Sequence, residues 1–295
     1  MILRVENLSK HYGPLKALSN LNLSIENGCI YGILGPNGSG KTTTLGIVLG
    51  VINSNAGTYS WFNGETGDDH RKRIGAMLET PNFYHYLSAY NNLKIAADIK
   101  GVSHDYIDKV LETVNLSSRK DSKFSAFSLG MKQRLSIASA LLGNPEVLVL
   151  DEPTNGLDPQ GIAEIRELII TIAKEGKTII LASHLLDEVE KVCTHVAVIQ
   201  KGKLLAAGSV AEVLSGEDII EVGADNFDKL EAVAKSYPNI KAVRKNSNGR
   251  LEISTIKPIT AAELNEYFYK QGLVISHLQL RKKSLEARFL ELTKA

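Results

Sequence analysis

The sequence predicts an α/β chain followed by a smaller α+β section, and three observations carry that reading. Short runs such as Cys29 to Leu34, Val147 to Leu150 and Thr178 to Ala182 are almost wholly apolar, the texture of parallel strands buried on both faces. Between the last two lies a stretch with helical spacing, Ile162, Ile165, Leu168, Ile169 and Ile172. Past about Ser215 the order becomes strand, helix, two strands, helix, strand. A chain of 295 residues is long enough for two cores, which excludes a small stapled scaffold.

Taken in order, Leu3 to Leu8 and Leu21 to Ile25 alternate apolar and polar residues at period two and read as strands. The run Cys29 to Leu34 meets the glycines Gly35, Gly38 and Gly40, after which a helix is expected over Thr43 to Val51. Residues 84–143 read as a helical insertion, with Ile107, Val110, Leu111 and Val114 at helical spacing. In the tail, strands are expected at Ile219 to Val222, Ala242 to Lys245, Leu251 to Ile256 and Val274 to Leu280, with helices at Phe227 to Tyr237 and Ala261 to Gln271. These form a separate domain over 216–295, beginning near Gly216 and closed by a helix from Ser284 to Leu292.

Lys plus Arg total 34 against 33 Asp plus Glu, so there is no bulk field for gripping nucleic acid or an acidic membrane, and nucleic acid is not an expected partner. The basic triplets Arg71 to Arg73 and Arg281 to Lys283 read as solvated faces. Cys29 and Cys193 lie far apart in apolar surroundings without metal-ligand spacing, and are expected to be reduced core thiols. The opening MILRVENLSKHYG lacks the flank and apolar stretch of a secretory signal, and no later segment is a membrane span.

Gly35, Gly40, Lys41 and Thr42 in GPNGSGKT satisfy the phosphate-loop pattern, and the strand before and helix after supply its context. The glycines let successive N–H groups and the helix N-terminus face a β-phosphate, Lys41 reaches the β/γ oxygens, and the Thr42 hydroxyl ligates Mg²⁺. A nucleoside triphosphate is implied. Downstream, the run Val147 to Leu150 ends in Asp151 and Glu152. On its own that is a common way to end a core strand; beside a phosphate loop, Asp151 would hold Mg²⁺ through water and Glu152 would polarise the attacking water.

The phosphate loop, the helical insertion, then FSLGMKQRLSIASALLGNPEVLVLDEPTNGLD and LASH resemble the ATP-binding cassette family over residues 1–215. The resemblance implies a P-loop NTPase cassette with a mixed sheet core, an antiparallel β subdomain and a helical subdomain at about 84–143, followed by an accessory domain. It implies that Tyr12 stacks on adenine, and that Gly35, Asn37, Gly38, Ser39, Gly40, Lys41, Thr42 and Thr43 hold the phosphates of Mg-ATP. It makes Ser128 to Gln133 the signature segment, with Ser128 and Gly130 touching ATP. Asn155 to Asp158 would pass between two subunits, unless Asp158 simply caps the next helix, and His184 would contact the γ-phosphate. The turn at Ser128 to Gly130 is a second anion-binding helix start without a lysine of its own, so two copies packed head to tail could each complete the other's site.

Two positions depart from the commonest pattern. The signature reads Phe127-Ser128-Leu129-Gly130-Met131 where Leu-Ser-Gly-Gly-Gln is usual, and Glu79 stands where a glutamine normally contacts Mg²⁺ and water. An ionised carboxylate adds negative charge and removes an amide donor. Both departures are similar to those of the ATPases of bacitracin-resistance and lantibiotic-immunity exporters, and SLEARFLELT from Ser284 to Thr293 resembles the terminal segment of drug-type and peptide-type exporter ATPases. That subfamily implies a homodimer at the cytoplasmic face of the membrane, coupled to separate permease subunits around Glu79 to Leu93. Tyr84, Tyr86 and Leu87 either face the permease there or pack inside, and Glu79 is expected to tune coupling more than ATP binding. A soluble cassette ATPase acting on a ribosome or DNA is the alternative, weighed against by the single phosphate loop and the absence of a heptad run. A P-loop kinase leaves Ser128 to Gln133 and His184 unexplained.

Overall fold

The computed structural model describes every residue except 65–67, 80–81, 215–218, 247, 257–258, 282–284 and 295. It divides into two compact units, Met1–Val210 and Ala211–Ala295. The expected boundary at Gly216 lies outside the described residues, as does Ser284.

The first unit opens with strands β1 (Leu3–Tyr12) and β2 (Leu15–Ile25), both longer than their alternating stretches, then β3 (Ile30–Leu34), helix α1 (Lys41–Val48), β4 (Ala56–Trp61) and β5 (Ile74–Met77). The helical insertion holds α2 (Ala89–Lys100), α3 (Asp105–Thr113) and α4 (Leu129–Leu141). After it come β6 (Val147–Asp151), α5 (Pro159–Lys174), β7 (Thr178–Ser183), α6 (Leu186–Val192), β8 (His195–Gln200) and β9 (Lys203–Ser209), and the short α7 (Val210–Leu214) begins at the boundary between the units.

Two sheets result. One is antiparallel, in the order β2-β1-β4; the other has the order β5-β6-β7-β3-β8-β9, parallel up to β8 and closed by antiparallel β9. Strands β3, β6 and β7 are buried at every residue, which is why their sequences read as apolar runs without alternation. Leu8, Leu18, Leu21 and Ile25 from the antiparallel sheet share one core with Ile33, Leu45, Val149 and Ile180.

The insertion is built from local signals. Ser88 caps α2 by accepting from the Asn91 N–H at 3.2 Å, and Gly101 ends it in the left-handed region. Ile107, Val110, Leu111 and Val114 are all buried. At its far end α4 comes so close to β5 that a Cβ on Gly75 would strike the Ala140 carbonyl oxygen. Arg73 is more than a solvated charge, since its guanidinium pairs with Glu146 at 2.6 Å and lies 3.7 Å from the Phe62 ring centroid. Of the second basic triplet, residues 282 and 283 lie outside the described residues. The two cysteines are buried and free.

The second unit contains β10 (Ile219–Gly223), α8 (Phe227–Lys235), β11 (Ile240–Lys245), β12 (Leu251–Thr255), α9 (Ala261–Lys270), β13 (His277–Arg281) and α10 (Leu285–Lys294). Its sheet is antiparallel in the order β11-β12-β10-β13, the split β-α-β arrangement. Ile220, Val222, Leu251 and Ile253 form its core with Leu230, Leu264 and Phe268 of the helices. A capping box starts α9: Thr260 Oγ accepts from the Glu263 N–H at 3.2 Å, and Glu263 accepts from the Thr260 N–H at 2.9 Å. Val274 is exposed and precedes β13, which is shorter than expected.

Because the obstacle at Gly75 is backbone, Gly75→Ala is expected to cost about 1–3 kcal/mol through overpacking, measured as a lower denaturation midpoint.

Candidate active site

Strand register brings the C-terminal ends of three adjacent strands to one edge. Leu34 of β3 pairs with Ser183 of β7, and Asp151 of β6 pairs with Ala182 of β7. Gly35, Glu152 and His184 therefore emerge together, at the edge where open parallel sheets carry their ligands.

Gly35 to Gly40 turns β3 into α1. A Cβ at Gly35 would strike the Ile199 carbonyl oxygen, and one at Gly40, where φ is 111°, would sit 2.8 Å from the Ala17 carbonyl oxygen. Glycine lets the loop lie against β2 and β8. The Gly202 N–H donates to the Ser39 carbonyl at 2.9 Å, and the Ser19 N–H donates to the Gly202 carbonyl at 2.9 Å. The hairpin that carries exposed Tyr12 is thus fastened to the loop further along β2, and Lys10 Nζ lies 5.1 Å from the Tyr12 ring centroid. Asn37, Gly38 and Thr42 are exposed and Thr43 is half-buried. Ser39 is buried, and its Oγ has no hydrogen-bond partner among the described residues.

Lys41, only 5% exposed, donates to the Gly35 carbonyl at 2.8 Å and lies 3.2 Å from Glu152 Oε1. Glu152 Oε2 is in turn 2.8 Å from His184 Nδ1. Glu152 has a φ of 49°, a left-handed conformation that takes its carboxylate out of the alternation of β6. Asp151 is 2% exposed. Burial raises its carboxyl pKa; a hydrogen bond from the Thr42 hydroxyl lowers it, Glu152 and Glu79 push it up, and Lys41 pulls it down. Glu79, exposed and at φ 58°, follows β5. Pro81, beside it in sequence, lies outside the described residues.

These residues suit a magnesium nucleotide. Asp151 Oδ1 is buried and has no partner among the described residues, while Glu79 and Glu152 add carboxylate charge nearby, an oxygen donor set for a hard divalent cation. The orphaned Ser39 hydroxyl and the start of α1 suit phosphate oxygens.

Ser128, Gly130 and Asp158 belong to a second cluster. Ser128 caps α4, accepting from the Met131 N–H at 3.3 Å, and Asp158 caps α5, accepting from the Gly161 N–H at 2.8 Å. Leu129 Cδ2 comes within 3.1 Å of where Gly156 would carry a Cβ, and Leu157 Cδ2 lies 3.9 Å from the corresponding point on Gly130. The signature turn thus lies against the Asn155 to Asp158 loop, and the Asn155 N–H ties that loop to the Glu152 carbonyl at 3.1 Å.

The sequence reading assigns nothing to 195–209, although Ile199 and Gly202 buttress the phosphate loop. Its signal is Lys201-Gly202 between HVAVIQ and KLLAAGS, a two-residue hairpin turn with φ of 48° and 74°. It is weak because Lys-Gly is not among the strong turn pairs.

The model of the ABC transporter family matches residues 18–155, from β2 through Glu152. Bacitracin transport ATP-binding protein BcrA of Bacillus licheniformis is 38% identical, across 99% of this chain and 97% of its own length. The chain belongs to the ABC transporter ATP-binding family. Lantibiotic transport ATP-binding protein SrtF of Streptococcus pyogenes is 41% identical over 69% of this chain and 89% of its own. A solved ATP-binding cassette in its ADP conformation superposes with a TM-score of 0.65 at 28% identity, covering 72% of this chain and 92% of that one. A dimeric cassette bound to ADP and Pi gives 0.63 at 25% identity, covering 71% and 99%. The ABC cassette described here is an ATPase that energises transport. Cassettes of this family dimerise and work with membrane permease subunits. Among the described residues, no helix is long and apolar enough to cross a membrane.

Gly40→Ala should force the phosphate loop off β2 and weaken ATP binding by about tenfold or more, a loss of about 1.4 kcal/mol, read by titration of the full chain with a non-hydrolysed ATP analogue.

Proposed function

We propose that the chain is the motor of an exporter for a peptide antibiotic of the bacitracin or lantibiotic kind, working at the cytoplasmic face of the membrane as a head-to-tail homodimer. The observation that carries this reading is the division of the site: Lys41, Asp151, Glu152 and His184 meet at one sheet edge, while Ser128, Gly130 and Asp158 form a cluster of their own, apart from the phosphate-loop lysine. The relatives named for bacitracin and lantibiotic transport support the cargo class. The soluble alternative, acting on a ribosome or DNA, has no such support.

In this reading Tyr12 stacks on adenine, the amides from Asn37 to Thr43 and the Lys41 ammonium hold the phosphates, and Ser128 and Gly130 of a second copy cover the γ-phosphate. Thr42, Asp151 and Glu79 hold Mg²⁺, which when bound neutralises charge on the β/γ oxygens. Glu152 accepts the proton of the attacking water, and His184, 2.8 Å away, orients that carboxylate and contacts the γ-phosphate. Lys41 and His184 flank the Glu152 carboxylate on its two oxygens.

The permease docks around Glu79 to Leu93. Tyr84 and Tyr86 are 52% and 69% exposed, which supports their facing a partner. Residues 1–215 are the cassette and 216–295 the accessory domain.

Glu152→Gln should lower turnover by about 10²–10⁴-fold and leave an ATP-saturated sample dimeric in sedimentation; a monomer at saturating ATP refutes the head-to-tail reading. Glu79→Gln should leave ATP affinity within about twofold, under 0.5 kcal/mol, while lowering bacitracin or lantibiotic resistance of cells carrying the intact transporter; unchanged resistance removes the coupling role.

A further inference from the structure

Phe124 lies in none of the nucleotide motifs, yet it is among the largest fully buried side chains of the protein, at 1% exposure. Its ring meets Phe83 edge-on at 5.2 Å between centroids, His85 at 5.5 Å and Phe127 at 6.1 Å, and Lys132 Nζ lies 5.3 Å from its centroid. Those four residues belong to two places: the turn that carries the exposed tyrosines, and the start of α4. Phe127 immediately precedes Ser128, and the Lys132 N–H donates to the Ser128 carbonyl at 3.0 Å.

The backbone makes the same connection. The Phe124 N–H donates to the Leu87 carbonyl at 2.9 Å, and the Ser125 N–H donates to the His85 carbonyl at 3.0 Å. On the other side, the Ala89 N–H donates to Ser122 and the Tyr90 N–H to Lys120, so the two segments form a short antiparallel clasp bridged at Ser88 and Lys123. The clasp is locked from α2 by the buried Asn92 side chain. Its Oδ1 accepts from the Tyr84 N–H at 2.8 Å, and its Nδ2 donates to the Ser88 carbonyl at 2.9 Å and the Tyr84 carbonyl at 3.1 Å. The turn that presents Tyr84 and Tyr86 is thus fastened to the segment of Phe124, and the Phe124 ring packs against the residue before the signature serine.

We propose that Phe124 is a positioning residue for ATP hydrolysis: it fixes the signature turn at Ser128 to the exposed tyrosine turn, so that load on Tyr84 and Tyr86 alters how Ser128 and Gly130 engage the nucleotide of a second copy. This rests on the head-to-tail reading above and adds the mechanical path from the tyrosine surface to the signature. A rigid aromatic contact suits the task, because ring packing in a close-packed interior transmits displacement where a solvated contact dissipates it.

The test uses the full chain in the Glu152→Gln background. Phe124→Leu keeps the core filled and removes the ring contacts. Its monomer should bind a non-hydrolysed ATP analogue within twofold of the parent, while its ATP-dependent dimer weakens by about tenfold in sedimentation. In the chain with Glu152 intact, Phe124→Leu should lower kcat severalfold with little change in KM. A Phe124→Leu dimer as tight as the parent overturns the proposal, as does an equal loss of monomer ATP binding, which marks a general structural defect. If the Glu152→Gln parent itself fails to dimerise with ATP, it is the head-to-tail reading that falls. Amide hydrogen exchange on the Glu152→Gln chain, unaltered at 124, gives an independent measure should Phe124→Leu fail to fold. Adding ATP should slow exchange at Phe124 and Ser125 together with Met131, and slowing at Met131 alone overturns the proposal.

Discussion

One buried ammonium holds the arrangement of this site together. Lys41 lies 3.2 Å from Glu152, and Asp151 and Glu79 add negative charge on the same side. Carboxylates crowded in this way repel one another and resist burial, as the upward push on the Asp151 carboxyl registers. They are tolerated because the sheet fixes their origins: Asp151 and Glu152 leave β6 one strand away from His184, and Lys41 begins the helix that follows β3 on the other side of β7. The crowding of negative charge that burdens Asp151 is what a bound divalent cation would relieve, while the Lys41 ammonium and the loop amides would offset the charge of the phosphates. Binding energy and folding strain are therefore the same charges seen in two states.

Holding those charges in place falls to close backbone contacts. The phosphate loop is wedged between the Ala17 and Ile199 carbonyls at two glycines, and it takes a backbone hydrogen bond from Gly202. The helical insertion is fastened to the sheet in the same spirit. Gly75 brings β5 against the end of α4, and within the insertion Lys100 reaches from α2 to donate to the Ser139 carbonyl of α4 at 2.6 Å. Burial pushes the Lys100 ammonium pKa down to about 8. Interaction with the carbonyl-rich C-terminus of α4 offsets part of that cost.

Much of this was readable in the sequence because the signals are local. The phosphate loop is a contiguous pattern, the apolar runs ending at Leu34, Leu150 and Ala182 announce buried strands, and Asp158-Pro159 announces a helix start. The tail's strand and helix order was also open to period counting, since its strands alternate and its helices carry Leu230, Leu264 and Phe268 on single faces. What escaped are features set by neighbours distant in sequence. The hairpin of β8 and β9 matters because Gly202 touches Ser39, a contact made across most of the chain, and Lys201-Gly202 alone does not advertise it. Phe124 reads as one more apolar residue in a helical stretch until Phe83 and Phe127 are brought to its ring. Strand β4 is short and half-polar and β5 has only four residues, so periodicity had little to count.

The unusual leucine in the signature turn follows from the same geometry. At the start of α4, the backbone N–H groups of Leu129 and Gly130 have no intrahelical acceptor, so they are the groups available to an anion whatever side chain residue 129 carries. The cost of a leucine there is only where its side chain goes. It is 42% exposed, and the remainder lies over Gly156, where a Cβ would come within 3.1 Å of it. Gly156 has a φ of 76°, so glycine at that position suits the loop's backbone and clears space for the leucine at once. Ser128 is not consumed by its capping role either. Its oxygen accepts from the Met131 N–H, and a hydroxyl that accepts still has its own proton to donate. The turn therefore keeps two amides and one hydroxyl donor, and Leu129 adds an apolar contact that couples the signature to the loop running back to Glu152.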